Sequence, residues 1–166
     1  IVGYTNAGKT SLFNYLTKRN KTVENALFVT LDSVTGKLYL PVLKKEVTIS
    51  DTIGFIKDLP PSLIDSFKST LLESINADII LHVIDIKDSE MDQKISIVNN
   101  ILRELKVHSK KIIYVFNKID AFLGNGEELL KKINKTYAAH TPKYISVTTD
   151  YGIGKLLTEI EKQLIC

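Results

Sequence analysis

The sequence predicts an α/β fold in which a doubly wound, mostly parallel, six-stranded sheet carries helices on both faces. Two observations lead to this prediction. Short apolar runs alternate along the chain with segments of helical periodicity, as in sheets whose strands are joined by crossover helices. The run 79–84 is nearly continuously apolar, which is typical of a strand that is covered on both faces.

These patterns predict five strands and five helices, and residues 1–2 count as the end of a sixth strand. The strands are predicted over 37–41, 46–50, 79–86, 111–116 and 143–147. The helices are predicted over 9–18, from Pro60-Pro61 to about residue 75, and over 89–105, 127–139 and 153–165. The short link between the strands at 37–41 and 46–50 predicts antiparallel pairing, because parallel neighbours need a crossover of about a dozen residues.

Length and composition indicate one ordinary globular domain over residues 1–166. Apolar residues make up 44% of the chain and charged residues 25%. No apolar run approaches the roughly 20 residues of a membrane helix, so we expect no membrane partner. The net charge of +3 is spread over small groups of lysines, which by themselves do not indicate RNA contact. Cys166 is the only cysteine, which excludes an internal disulfide framework and favours a cytoplasmic setting. We separately expect a monomer.

The start of the chain is unusual. The first glycine-rich motif follows only Ile1 and Val2, whereas the strand that feeds such a loop runs about 5–6 residues. We therefore expect the first strand to be truncated, with the chain cut or disordered just upstream of Ile1. The parent protein would then have a further N-terminal part.

Residues 3–10 read G-Y-T-N-A-G-K-T, the spacing G-x-x-x-x-G-K-[ST] of a phosphate-binding loop, here called the phosphate loop. Gly3 and Gly8 let the backbone bend so that successive N–H groups point at phosphate oxygens. Lys9 supplies positive charge for the β- and γ-phosphates, and the Thr10 hydroxyl is a candidate Mg²⁺ ligand. The residues predicted to bind phosphate are Thr5, Asn6, Ala7, Gly8, Lys9, Thr10 and Ser11.

The next motif, Asp51-Thr52-Ile53-Gly54, closes an apolar strand. An aspartate at this place holds Mg²⁺, usually through water, together with Thr10. The N–H of Gly54 can approach the γ-phosphate because no side chain intervenes. Alone, the pattern D-x-x-G is an ordinary turn, and only its position downstream of the phosphate loop favours the functional interpretation.

The motif Asn117-Lys118-Ile119-Asp120 follows the predicted strand 111–116 and is typical of guanine recognition. The Asp120 carboxylate accepts two parallel hydrogen bonds from guanine N1–H and N2–H₂, a donor pair that adenine lacks. Asn117 is expected to tie this loop to the phosphate loop, and the Lys118 stem to pack over the base. Ser146 and Val147 complete the predicted guanine site, because a backbone N–H at Val147 reaches guanine O6 whatever the side chain.

The amino-acid sequence of these motifs resembles that of the HflX family of translation-factor-class P-loop GTPases. The resemblance rests on the stretches GYTNAGKTSLFN (3–14), LFVTLD (27–32), DTIGFI (51–56) with Leu59-Pro60, and LHVID (81–85). It covers the chain as the family's G domain and omits the family's N-terminal domain. The chain departs from the pattern of guanine-binding proteins at 146–148, where S-V-T stands in place of S-A-K. The similarity implies binding to the large ribosomal subunit, with ribosome splitting or rescue in bacterial members.

The same resemblance implies that Thr30 is the switch-I threonine. Its hydroxyl would join the Mg²⁺ shell and its N–H would meet the γ-phosphate only when GTP is bound. A single threonine in a loop is otherwise more often a turn residue. With Lys9 and Gly54, Thr30 makes up the predicted catalytic set.

Phe55 stands where Ras-like enzymes carry the glutamine that orients the attacking water, so we predict slow intrinsic hydrolysis. Asn6 is a candidate K⁺ ligand that would offset this loss, because a cation beside the β- and γ-phosphates neutralises developing charge. The alternative is that Asn6 only tolerates the backbone angle of a tight loop.

Two functions therefore remain open. The first is a GTP-hydrolysing switch that binds GTP, GDP and Mg²⁺, with in-line attack of water on the γ-phosphate. The second is a ribosome-docking nucleotide-binding module with negligible hydrolysis of its own, which the absence of a glutamine at Phe55 favours. An ATP-using kinase is disfavoured by Asp120. His82 is interpreted as a buried, hydrogen-bonded histidine rather than a catalytic one, and Cys166 as inert.

Overall fold

The computed structural model describes residues 1–18, 34–52, 76–107, 110–122 and 126–165. Within these ranges the chain forms strands and helices that alternate as the sequence predicts. They are α1 (Lys9–Thr17), β1 (Val34–Leu40), β2 (Lys45–Asp51), β3 (Ile79–Asp85), α2 (Met91–Glu104), β4 (Lys111–Asn117), α3 (Glu127–Thr136), β5 (Lys143–Tyr144) and α4 (Ile153–Ile165). Two 3-10 helices, Ile119–Phe122 and Ala138–His140, follow β4 and α3. The helix predicted after Pro60-Pro61 lies outside the described residues.

The strands form two hydrogen-bonded sets. β1 pairs with β2 in antiparallel register, as the short link between them predicts, and β3, β4 and β5 pair in parallel in that order. Residue Ile79 faces Lys111 at the start of the β3–β4 ladder, and Asp85 faces Asn117 at its end. The polar residues that follow β3 and β4 therefore lie at the same edge of the sheet.

Residues 1–2 join the two sets. Val2 forms a parallel bridge with His82 of β3. On the other side, the Ile1 nitrogen donates to the Ser50 carbonyl oxygen at 2.5 Å, and the Thr52 N–H donates to the Ile1 carbonyl oxygen at 3.3 Å. This alternation is the pattern of parallel pairing with the end of β2. The prediction of a six-stranded sheet is thus confirmed only in part, because Val2 forms only an isolated bridge with His82 and the described residues form five strands in two sheets.

β5 is also shorter than predicted. It comprises only Lys143–Tyr144 rather than 143–147. The Ile145 N–H still donates to the Phe116 carbonyl oxygen at 2.8 Å, but the Ser146 N–H turns to the Tyr151 carbonyl oxygen at 3.0 Å. The chain therefore leaves the sheet at Ser146, which places that residue and Val147 in a loop.

Helices cover both faces of the parallel strands. Side chains alternate along β4, so that Ile113 and Val115 face one side while Tyr114 and Phe116 face the other. All four are at most 1% exposed. On the first side they belong to a cluster that includes apolar residues of α1 and α4, and on the second to a cluster that includes residues of α2 and α3. The α/β fold with helices on both faces is confirmed, and the loops at the strand ends lie at the edge where such sheets bind ligands.

Candidate functional site

The phosphate loop has a backbone that only glycine allows at two positions. Gly3 has φ +150°, and a Cβ there would lie 2.2 Å from the carbonyl oxygen of Val83 on β3. Gly8 has φ +94°, and a Cβ there would lie 2.3 Å from Nδ2 of Asn117. The first glycine allows the loop to start close against the sheet. The second allows the motif 117–120, here called the base-reading motif, to approach the loop.

Helix α1 begins at Lys9, directly after the loop, with Gly8 as its N-cap. The first N–H groups of an α-helix have no partner within the helix, and the helix dipole makes this end positive. No acidic residue occupies the first turn. The turn that contains Thr10 and Ser11 therefore presents backbone donors suited to a phosphate group.

Lys9 is folded over the phosphate loop. Its Nζ donates to the Tyr4 carbonyl oxygen at 3.0 Å, and the residue is only 7% exposed. Burial lowers the pKa of Lys9 from 10.5 to about 8, and the nearby Asp51 carboxylate opposes that shift. The ammonium group is thus a desolvated donor, which gains most when an anion such as a phosphate lies beside it.

Thr10 and Asp51 form the centre of the predicted Mg²⁺ site. The Thr10 hydroxyl donates to Oδ2 of Asp51 at 2.8 Å, although the two residues lie 41 positions apart. Asp51 is 1% exposed, and burial raises its pKa against the opposing effects of the Thr10 hydrogen bond and the Lys9 charge. Its other oxygen, Oδ1, has no hydrogen-bond partner in the described part of the chain.

These oxygens fit a magnesium ion. Mg²⁺ prefers hard oxygen ligands, is bound through one or two protein groups plus phosphates, and keeps several waters. A hydroxyl beside a buried carboxylate with an unused oxygen meets that requirement. Within the described ranges no group of three or more His, Cys, Asp or Glu side chains is placed to hold a metal.

Asn117 connects three loops. Its Nδ2 donates to the Ala7 carbonyl oxygen in the phosphate loop at 3.0 Å, which is the contact that the sequence predicts. Its Oδ1 accepts a long hydrogen bond, 3.4 Å, from the N–H of Val147. The side chain is 4% exposed. The Val147 N–H that is predicted to meet guanine O6 is directed at Asn117 in this structure, and the guanine contact itself stays a prediction.

Lys118 extends from the base-reading motif back to the phosphate loop. Its Nζ donates to the Asn6 carbonyl oxygen at 2.9 Å and to Oδ2 of Asp85 at 2.6 Å. Asp85 is a site residue that sequence reasoning did not single out. Its signal is a carboxylate at the carboxyl end of a buried parallel strand, in register with Asn117.

The remaining guanine-site residues lie around the same edge. Asp120 is in the 3-10 helix Ile119–Phe122 and is partly exposed. The Ile119 N–H donates to the Ile145 carbonyl oxygen at 3.2 Å, which holds this turn against the end of β5. Ser146 is fully buried, and its Oγ accepts the Thr149 N–H at 3.2 Å. The structure thus brings both predicted base-site segments together.

Three predicted residues lie outside the described part of the chain. They are Thr30, Gly54 and Phe55. Their roles stay predictions, as does the inertness of Cys166, which is also outside it. The structure describes residues 5–11 completely, and Asn6 has φ +61°, so its backbone adopts the left-handed conformation that an asparagine tolerates.

His82 lies in β3 and is not arranged for catalysis. It is 1% exposed, packs edge-on against Tyr114 with ring centroids 4.9 Å apart, and burial lowers its pKa to about 3. The prediction that it is buried is confirmed. Its Nδ1, however, has no hydrogen-bond partner among the described residues, so the predicted hydrogen bonding does not extend to this nitrogen. Separately, none of the helices in the described ranges has the length and apolar character of a membrane span.

Comparisons with known proteins agree with this arrangement. The family described as 50S ribosome-binding GTPase matches residues 1–118. GTPase HflX of Caldanaerobacter subterraneus subsp. tengcongensis is 42% identical over 168 residues, which cover 99% of this chain and 36% of that protein. The chain therefore spans little more than a third of the length of the HflX proteins that it matches.

Two solved structures share the fold and contain nucleotides. A GTP-binding protein of Sulfolobus solfataricus, solved in complex with GDP, has a TM-score of 0.78 and 30% identity, over 98% of this chain and 50% of that one. Aquifex aeolicus Era, solved as a variant bound to GDP and AlF4⁻, has a TM-score of 0.81 and 25% identity, over 98% of this chain and 55% of that one.

Proposed function

Because this chain belongs to the 50S ribosome-binding GTPase family, as the G domain of an HflX-type GTPase, we propose that it binds GTP and GDP with Mg²⁺ and hydrolyses GTP. The observation that carries the proposal is the hydrogen bond between Asn117 and Ala7. It joins a loop that suits phosphates to a motif that suits guanine. One nucleotide can therefore contact both segments.

Guanine selection is assigned to Asp120. Its carboxylate accepts hydrogen bonds from guanine N1–H and N2–H₂, whereas adenine offers no equivalent donor pair. Lys118 flanks the base with its aliphatic stem, and Ser146 and Val147 contribute the loop on the opposite side. The contacts of Asn117 support this assignment because they hold the Val147 N–H next to the base-reading motif.

Phosphate binding is assigned to residues 5–11. Their backbone N–H groups surround the β-phosphate, and Lys9 exchanges its contact with the Tyr4 carbonyl for the β- and γ-phosphates. Thr10 and Asp51 hold Mg²⁺, which supplies neutralisation of charge on the phosphate oxygens when bound. Thr30 completes the metal shell in the GTP state. In hydrolysis, water attacks the γ-phosphorus in line, while Lys9 and the N–H of Gly54 stabilise the charge that develops.

Slow intrinsic turnover follows from Phe55, which has no group that orients water. Asn6 is assigned as a ligand of K⁺ that partly compensates for this absence. Asn6 has a left-handed backbone conformation, which places it at a tight turn of the phosphate loop. This position is compatible with the assignment. The alternative is that asparagine is present only for its tolerance of this conformation. A comparison of GTP hydrolysis in KCl and NaCl decides between the two.

The macromolecular partner in this proposal is the large ribosomal subunit, and membership of the 50S ribosome-binding GTPase family supports it. The second candidate function is a ribosome-docking module that holds nucleotide without hydrolysing it. Phe55 favours this candidate, whereas the Lys9, Thr10 and Asp51 arrangement favours hydrolysis, because such a metal site acts on the γ-phosphate.

The decisive experiment uses the full-length parent protein. GTP hydrolysis is measured with and without large ribosomal subunits, and GDP, GTP and ATP binding are measured alongside. We expect binding of guanine nucleotides only, slow hydrolysis alone and faster hydrolysis with subunits. The variant Lys9→Ala is the inactive control. Binding of ATP in place of GTP would refute the proposal, and GTP binding without hydrolysis in either condition would establish the docking module instead.

A further inference from the structure

Asp85 and Lys118 form an ion pair at the centre of the candidate site. Oδ2 of Asp85 lies 2.6 Å from Nζ of Lys118, and the two side chains are 20% and 37% exposed. The same Nζ donates to the Asn6 carbonyl oxygen at 2.9 Å. One ammonium group therefore joins the end of β3, the base-reading motif and the phosphate loop.

The Asp85 carboxylate is itself held in place by the protein backbone. Its Oδ1 accepts the N–H of Lys87 at 2.9 Å, and the neighbouring Ile86 N–H donates to the Asn117 carbonyl oxygen at 3.1 Å. Asp85 also sits opposite Asn117 in the parallel register of β3 and β4. The carboxylate is thus fixed by β3 and its following turn, without any contribution from a ligand.

The neighbouring acidic residues Asp88 and Glu90 form their ion pairs with another lysine. Nζ of Lys94 lies 2.5 Å from Oδ2 of Asp88 and 3.4 Å from Oε2 of Glu90. Asp88 therefore has a lysine of its own. Among the described residues, Asp85 is the carboxylate that forms an ion pair with Lys118.

We propose that Asp85 is a positioning residue that keeps Lys118 extended between the base-reading motif and the phosphate loop, and thereby sets how long a bound guanine nucleotide is retained. This inference rests on the proposed function. A free lysine side chain samples many rotamers, and binding in one geometry then costs conformational entropy. The ion pair with Asp85 restricts the Lys118 side chain before the nucleotide binds, so less conformational entropy is lost on binding.

The backbone of Lys118 gives a second reason why the residue must be held. Lys118 has φ +67°, a left-handed conformation that is unfavourable for a residue with a long side chain. Such a conformation persists when surrounding contacts impose it, and the backbone hydrogen bonds of the flanking residues Asn117 and Ile119 are of that kind. Because the ion pair is partly exposed, it adds little to the stability of the fold, and its effect is expected in nucleotide dissociation.

The test is the dissociation rate of GDP from the full-length protein, measured by displacement of a fluorescent GDP analogue. In Asp85→Asn the rate is expected to rise about tenfold, which corresponds to about 1.4 kcal/mol. The association rate and the preference for guanine over xanthine are expected to stay unchanged, because Asp120 is untouched. Asp85→Glu restores the charge and is expected to recover part of the slow dissociation. Asp78→Asn, an exposed aspartate directly before the opposite end of β3, is the matched control and is expected to leave the rate unchanged.

A double variant distinguishes an effect of Asp85 through Lys118 from a general disturbance of the structure. If Asp85 acts through Lys118, then Asp85→Asn combined with Lys118→Met dissociates GDP no faster than Lys118→Met alone. Additive effects, or an unchanged rate in Asp85→Asn, would overturn the inference while leaving the proposed function intact. A parent protein that binds no guanine nucleotide at all would instead refute the proposed function together with this inference.

Discussion

The side chain of Asn117 donates a hydrogen bond from Nδ2 to the carbonyl oxygen of Ala7 at 3.0 Å, across 110 positions of sequence. Gly8 makes this approach possible, because a Cβ at that position would lie 2.3 Å from the same nitrogen. The phosphate loop and the base-reading motif therefore meet through direct contact between a side chain and a backbone.

The variant Asn117→Asp is expected to lower the free energy of unfolding by about 2–3 kcal/mol. The change replaces a buried donor with a carboxylate that faces the Ala7 carbonyl, so a hydrogen bond becomes a repulsive contact of desolvated oxygens. Urea denaturation measures the effect. The control is Asn134→Asp, since Asn134 is exposed and only accepts, through Oδ1, a hydrogen bond from the Tyr144 hydroxyl at 2.8 Å. Equal stability losses in both variants would contradict the donor role of Asn117.

The variant Asp120→Asn is expected to lose GTP affinity and to gain affinity for xanthosine triphosphate. The carboxylate needs the guanine donor pair, whereas an amide complements the changed edge of xanthine. A loss of at least tenfold for GTP is expected, about the effect of a lost charge-assisted contact. Equilibrium titration with both nucleotides measures it. Asp78→Asn, an exposed aspartate just before β3 at the opposite edge, is the control. An unchanged base preference in Asp120→Asn would refute the assigned role.

Potassium is expected to accelerate GTP hydrolysis several-fold over sodium at equal ionic strength. A K⁺ ion held by Asn6 beside the phosphates neutralises charge that develops in the transition state. Asn6→Gly removes the ligand while tolerating the observed φ of +61°. The variant should hydrolyse GTP equally in both salts, at the slower rate. Single-turnover assays in KCl and NaCl test this, and equal rates in the unaltered protein would exclude the potassium site.

His82 is expected to make the folded state less stable as the pH falls from 7 to 5. Burial lowers its pKa from 6.5 to about 3, so the folded protein holds the neutral imidazole, and its stabilising contribution is fully present only above 6.5. The unfolded chain takes up the proton first, which lowers the free energy of unfolding by about 2 kcal/mol between pH 7 and pH 5. The variant His82→Leu should lose that part of the slope. Urea denaturation at both pH values compares the two proteins, and identical slopes would contradict the burial effect.

Most of the fold was accessible from the sequence because its signals are local. The apolar run in β3 and the helical stripe of α2 depend on residues within a few positions of one another, so strand and helix follow from periodicity. The short link between β1 and β2 likewise predicts their antiparallel pairing. Strand ends were less predictable. β5 ends at Tyr144 because the Ser146 N–H pairs with Tyr151 beyond the loop, which no periodicity reveals.

The candidate site likewise has features that depend on neighbouring residues and features that depend on long-range contacts. Residues 3–10 and 117–120 carry their chemistry in consecutive positions, so the sequence by itself determined that phosphate and guanine groups suit this chain. The links between them were decided only by tertiary structure: Asn117 with Ala7, Thr10 with Asp51, and Lys118 with Asp85. Each link joins residues at least 33 positions apart, and it exists because parallel strands bring their carboxyl ends to one edge. A carboxylate such as Asp85 acquires its partner from strand order and register, and neither is encoded in the residues next to it.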